Sequence, residues 1–138
     1  WSAIAPARGV ALRDLDDDGV LEVLARPSDA PALAVYVRDR GEYAPAHTTD
    51  LRDHADDLLE TGRLDGDDVV DLASYAVGGR SVELWLGDRD LGWSPTTPIE
   101  LDAAVRQLVL ADVDDDGAAD LIAGTFDEGT ITVVRAQP

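Results

Sequence analysis

The sequence contains no cysteine, no lysine and no methionine. Without cysteine there is no disulfide framework, no thiolate nucleophile and no zinc–thiolate site. Without lysine there is no Schiff-base chemistry and no lysine for a phosphate-binding loop. No apolar run approaches the roughly 18 residues of a membrane-spanning helix, and no signal-peptide pattern is present. A chain that begins at Trp1 without any methionine reads as a mature or excised piece. Aromatic residues make up only 5 %, and 29 acidic side chains against 11 basic ones leave a formal net charge of −18. That balance opposes binding to nucleic acid or to an anionic membrane surface, both of which need basic patches.

What the chain has instead is carboxylate concentrated in two places. Asp14-Leu15-Asp16-Asp17-Asp18-Gly19-Val20-Leu21-Glu22 recurs as Asp112-Val113-Asp114-Asp115-Asp116-Gly117-Ala118-Ala119-Asp120, 98 residues later. Together these segments hold ten of the 29 acidic residues. Halfway between them, at a spacing of 49, stands an altered copy, Arg63-Leu64-Asp65-Gly66-Asp67-Asp68-Val69-Val70-Asp71. Carboxylates at positions 1, 3, 5 and 9, with glycine at 6 to turn the backbone, make an oxygen cage suited to a hard cation such as calcium. Two bound divalent ions would bring the net charge from −18 to −14.

The period extends beyond the acidic loops. Val10, Leu59 and Leu108 align, as do Leu33, Val82 and Ile131, then Val35, Leu84 and Val133, then Tyr36, Trp85 and Val134. Alternation of apolar and other residues, as in Ser81-Val82-Glu83-Leu84-Trp85-Leu86, is a strand signal. Each repeat therefore reads as a strand, the acidic loop, a second strand, a tight turn and a third strand. Leu108 to Ala111, Asp120 to Gly124 and Thr130 to Arg135 are the three strands of the last copy. Gly78-Gly79 supplies positive φ at one of the turns. A fourth, more polar strand follows in the first two repeats, at His47 to Leu51 and at Thr96 to Leu101. The expected fold is all-β: a single domain over residues 1–138, with three four-stranded antiparallel blades of a β-propeller. The repeats run over about 8–56, 57–105 and 106–138, with residues 1–7 completing a blade. Leu51 to Thr61 reads as a solvated connection. Three blades are too few for a closed ring, so the chain is expected to belong to a longer polypeptide or an oligomer.

The Asp-x-Asp-x-Asp-Gly-x-x-Asp loop between short strands, repeated near fifty residues, resembles the FG-GAP/VCBS repeats of integrin α subunits and of many bacterial surface and secreted proteins. The resemblance implies calcium in the loop joining the first and second strands of a blade. By position it assigns Asp14, Asp16, Asp18 and Glu22, with the carbonyl of Val20, as one ligand set. Asp112, Asp114, Asp116 and Asp120, with the carbonyl of Ala118, form the other. It also implies an extracellular or cell-surface location. Glu22 departs from the usual final aspartate. In the middle copy Arg63 replaces the first ligand and Asp68 the turn glycine, so that loop is expected to be metal-free, with Arg63 neutralising Asp65, Asp67 and Asp71. An EF-hand is excluded because position 12 is Ala25 and Ala123 where it needs glutamate.

Catalytic patterns are thin. His47 and His54 read as surface residues, no serine sits in a Gly-x-Ser-x-Gly elbow, and Trp85 and Tyr36 at one strand position read as packing. The expected function is a non-catalytic, calcium-stabilised module that binds a protein or glycan partner. The alternatives are the propeller portion of a polysaccharide lyase or other carbohydrate-active enzyme, and scaffold blades in a larger assembly.

Overall fold

The computed structural model describes residues 7–51, 58–126 and 129–136, which are all-β and antiparallel, with no helix among them. The twelve strands are β1 (Ala7–Arg13), β2 (Glu22–Pro27), β3 (Ala32–Asp39), β4 (Glu42–Asp50), β5 (Leu58–Gly62), β6 (Asp71–Tyr75), β7 (Ser81–Gly87), β8 (Trp93–Pro95), β9 (Ile99–Glu100), β10 (Val105–Ala111), β11 (Asp120–Thr125) and β12 (Ile131–Val134). They form three open sheets of the orders β1-β2-β3-β4, β5-β6-β7-β8 with β9 also on β7, and β10-β11-β12. Each repeat thus makes one sheet by consecutive antiparallel pairing, and none closes on itself.

The 49-residue period is kept at the level of register. Tyr75 pairs with Val82 and Gly124 with Ile131, while Gly62 pairs with Asp71 and Ala111 with Asp120. The expected fourth strand is present in the first sheet and split in the second. The strand is interrupted between Pro95 and Ile99, where Pro98 has no N–H to donate, so β7 is met by two short pieces instead. Trp1 to Pro6 and His54 lie outside the described residues.

The chain divides into two compact units, Trp1–Asp56 with Arg89–Gly92 and Asp57–Asp88 with Trp93–Pro138. In the first, Leu24, Leu33 and Val35 are buried on one face of the sheet. The second unit contains two sheets stacked face to face. Ala73, Tyr75 and Val82 of the second sheet share a core with Val105, Leu108, Leu121 and Ala123 of the third. Main-chain bonds pin the stack: Gly78 N–H donates to Val105 O and Val105 N–H to Gly79 O, both at 2.7 Å. Gly78 has φ +87, the left-handed value that lets the turn present its amide there. Trp85 is 1 % exposed and its indole N–H meets Ser74 Oγ at 3.2 Å, so this aromatic is a packing residue.

The stacked sheets leave no room for a side chain at Gly62, where an added Cβ would lie 2.9 Å from Leu110 Cβ and 3.2 Å from Ala119 Cβ. A methyl group there must push the sheets apart. Gly62→Ala is expected to lower stability by about 1–3 kcal/mol in urea unfolding. Gly124→Ala, whose Cβ would meet only Gln107 O at 3.9 Å, is expected to stay within about 0.5 kcal/mol of the parent.

Candidate metal centre

The acidic segments join β1 to β2, β5 to β6 and β10 to β11. Each is folded by its own carboxylates accepting backbone amides. In the first, Asp14 Oδ2 accepts Gly19 N–H at 2.9 Å, Asp14 Oδ1 accepts Asp18 N–H at 3.1 Å, and Asp18 Oδ1 accepts Val20 N–H at 2.7 Å. The third repeats this: Asp112 Oδ2 accepts Gly117 N–H at 2.9 Å, Asp112 Oδ1 accepts Asp116 N–H at 3.3 Å, and Asp116 Oδ1 accepts Ala118 N–H at 2.9 Å. These bonds need two left-handed residues per loop, at positions 4 and 6: Asp17 and Gly19, then Asp115 and Gly117. Aspartate tolerates that conformation better than most side chains.

The middle loop keeps the same backbone. Its left-handed residues are Gly66 (φ 76) and Asp68 (φ 66), so glycine and aspartate have exchanged places and the turn is intact. Only the first carboxylate is gone. Arg63 makes an ion pair of 3.7 Å with Asp68, and the two side chains are 43 % and 85 % exposed, a setting in which such pairs contribute little. The Arg63 carbonyl accepts Ala119 N–H, which ties the middle loop to the third.

Position 9 plays a part that ligand counting does not anticipate. Glu22, Asp71 and Asp120 are 3 %, 0 % and 0 % exposed, and each accepts the amide of position 2 in its loop: Leu15 at 2.8 Å, Leu64 at 2.6 Å and Val113 at 3.1 Å. The other oxygen of Asp71 takes Gly87 N–H at 2.7 Å, and that of Asp120 takes Ala136 N–H at 2.9 Å. So Asp71 is satisfied by two amides without needing the Arg63 charge. The sequence held the clue, since an acid persists at position 9 even where the first ligand is lost.

One carboxylate oxygen from each of Asp14, Asp16 and Asp18, positions 1, 3 and 5, lies within 4.8 Å of the others, and Asp112, Asp114 and Asp120, positions 1, 3 and 9, form a second trio of the same tightness. An ion about 2.4 Å from each oxygen spans such separations, and an all-oxygen donor set selects a hard cation. Of the eight side chains expected as ligands, the structure brings these six together. Glu22 and Asp116 fall outside the two trios, although Asp120 accepts a position 2 amide as Glu22 does and Asp18 accepts Val20 N–H as Asp116 accepts Ala118 N–H. Val20 and Ala118 take part through their amides, donated to Asp18 and Asp116. Arg135 lies 3.1 Å from Asp114, a fixed positive charge at the third loop.

Electrostatics follow from this geometry. Burial pushes the Glu22 carboxyl up, opposed by the Leu15 bond and reinforced by Asp16, Asp18 and Asp14. Burial likewise raises Asp71, opposed by Gly87 and Leu64 and reinforced by Asp65 and Asp67. Asp112 is lowered, chiefly by the Gly117 amide. Its contribution to stability is therefore present above its ordinary value of 3.8 and lost as pH falls through the depressed one. Compared with known protein families and with curated proteins, the sequence has no match.

Asp71→Ala should strand the Leu64 and Gly87 amides, at about 1–3 kcal/mol for each. Asp71→Asn keeps one acceptor and removes the buried charge, so it should lose less. The sign with pH is definite. A raised folded pKa means the native state holds its proton more tightly, so this group's cost is full above that pKa and fades as pH falls toward 3.8. Urea unfolding across that window should show this component in the parent and not in Asp71→Ala.

Proposed function

We propose that the chain is a non-catalytic, calcium-stabilised module of propeller-type blades that displays its sheets to a protein or glycan partner outside the cell. The observation that carries this reading is the pair of carboxylate trios at Asp14, Asp16, Asp18 and at Asp112, Asp114, Asp120, set on loops of one backbone design. Repetition at the same place in two sheets favours a structural ion over a reactive one. The carboxylates in these loops are engaged with backbone amides and with the ion, which leaves them unsuited to acid–base chemistry. His47, on β4, stands apart from both loops in sequence. Extracellular calcium is plentiful enough to fill sites made largely of aspartate and water.

Each site adds stability by mass action, roughly 2.7 kcal/mol when the ion is about 100-fold above its dissociation constant. Titration calorimetry should count two calcium ions per chain. Melting temperature should fall on adding chelator and recover with calcium far better than with magnesium, which demands tighter octahedral geometry. Equal melting in chelator and in millimolar calcium would refute the reading. Because the middle loop already has its turn, Arg63→Asp alone should create a third site, seen as a third calcium in the same titration. Calcium-dependent retention on a glycan or protein array, without product formation, tests the partner-binding part.

A further inference from the structure

Three steps in the chain join an aspartate to a glycine: Asp18-Gly19, Asp65-Gly66 and Asp116-Gly117. Asparagine is absent, so deamidation does not compete with what these steps can do. Glycine has no side chain to keep its amide nitrogen away from the carboxyl carbon of the residue before it. All three steps are exposed and lie in the acidic loops, and in each the aspartate side chain is folded back over the glycine. Asp18 Oδ1 accepts Val20 N–H at 2.7 Å, Asp65 Oδ1 accepts Asp67 N–H at 3.2 Å and Asp116 Oδ1 accepts Ala118 N–H at 2.9 Å.

What differs is the glycine amide. Gly19 N–H is held by Asp14 Oδ2 and Gly117 N–H by Asp112 Oδ2, each at 2.9 Å. Gly66 N–H has no acceptor among the described residues. The reason is the lost first carboxylate. Gly66 stands at position 4, and in the third loop the amide of that position, Asp115, bonds to Asp112. In the middle loop the first position belongs to Arg63, whose side chain has donors and no acceptor.

We propose that Asp65-Gly66 is a site of spontaneous isoaspartate formation, and that Asp14 and Asp112 protect the two outer aspartate–glycine steps from the same reaction. Gly66 N attacks Asp65 Cγ. The new N–Cγ bond closes a five-membered succinimide, and the carboxyl hydroxyl leaves with the amide proton as water. Water then adds back at one of two carbonyls. Opening at the γ-carbonyl restores aspartate, whereas opening at the α-carbonyl leaves the chain running through Cβ with the α-carboxyl as the new side chain. No ion, oxidant or partner takes part, so the proposal stands apart from the calcium reading.

The test is ageing of the full chain in chelator at mildly acidic pH, followed by trypsin and electron-transfer fragmentation. Cleavage after Arg13, Arg63 and Arg106 puts the three steps in separate peptides, so all are read from one sample. Isoaspartate should accumulate at Asp65 about tenfold or more faster than at Asp18 or Asp116, where an amide–carboxylate hydrogen bond must first be given up. In concentrated urea the three rates should converge, since only the fold distinguishes them. Arg63→Asp supplies the missing acceptor and should slow the reaction at Asp65 to the range of the outer loops. Arg63→Ala removes the charge without adding an acceptor and should age as the parent does. If Arg63→Asp does not keep the parent's circular dichroism, Asp14→Ala takes its place: it frees Gly19 N–H and should raise isoaspartate at Asp18. Equal rates at the three steps in the folded chain would overturn the proposal, as would a preference for Asp65 that persists unchanged in urea. So would an Arg63→Asp chain that folds and ages as fast as the parent.

Discussion

A buried carboxylate that receives the second amide of its own loop sets the joint between the first two strands in every repeat. Glu22, Asp71 and Asp120 are each the first residue of the second strand, and each pairs across the ladder with the last residue of the first strand, Arg13, Gly62 and Ala111. The side-chain bond to position 2 therefore closes the loop where the ladder begins, and a slip by one residue would turn the carboxylate to the wrong face. Removing such a group from water is costly, and the upward push on Glu22 and Asp71 registers that cost. Amide donors offset it. In the second and third sheets the remaining oxygen extends the joint to Gly87, at the end of the third strand, and to Ala136, just beyond it.

With the joints fixed, the rest of the second unit is a problem of close packing. The facing surfaces of the second and third sheets are built from Ala, Val, Leu, Ile and one Tyr, with Gly62 where there is no room for a Cβ against Leu110 and Ala119. A flat apolar pair would slide. What holds the stack in place is the exchange of main-chain bonds between the Gly78-Gly79 turn and Val105, with Arg80 O receiving Leu101 N–H beside it. The turn glycines thus serve the tertiary contact as much as the hairpin.

Much of this was legible in the sequence because the signal is repeated. Alternating apolar residues at a 49-residue spacing gave the strands, and the acidic loops gave the place where first and second strands meet. Three things were not legible, each for a physical reason. The second left-handed residue, at position 4, is hidden because aspartate tolerates that conformation without the signature of a glycine, so Asp17 and Asp115 carry no mark. The clamp at position 9 is masked because the same residue type suits a metal ligand and an amide acceptor. The division of the fourth strand into β8 and β9 falls at Pro98, which was visible, though the effect of a proline depends on which amides face β7, and Pro45 leaves β4 unbroken.

The middle loop separates what the backbone requires from what an ion adds. It keeps both left-handed residues, the position 9 clamp and the short-range bonds from Asp65 to Asp67 N–H and from Asp67 to Val69 N–H, at 3.2 and 2.9 Å. It lacks only the first carboxylate, which in the outer loops accepts the amides of positions 5 and 6. The loop's path therefore does not require the first carboxylate. For the cation proposed above, the oxygens of each trio already lie close together, so little ordering cost would fall on binding. The cation would relieve the repulsion among them, as Arg135 does in part for Asp114 in the third loop. A repeat without the first carboxylate thus keeps the left-handed residues and the position 9 clamp of its neighbours.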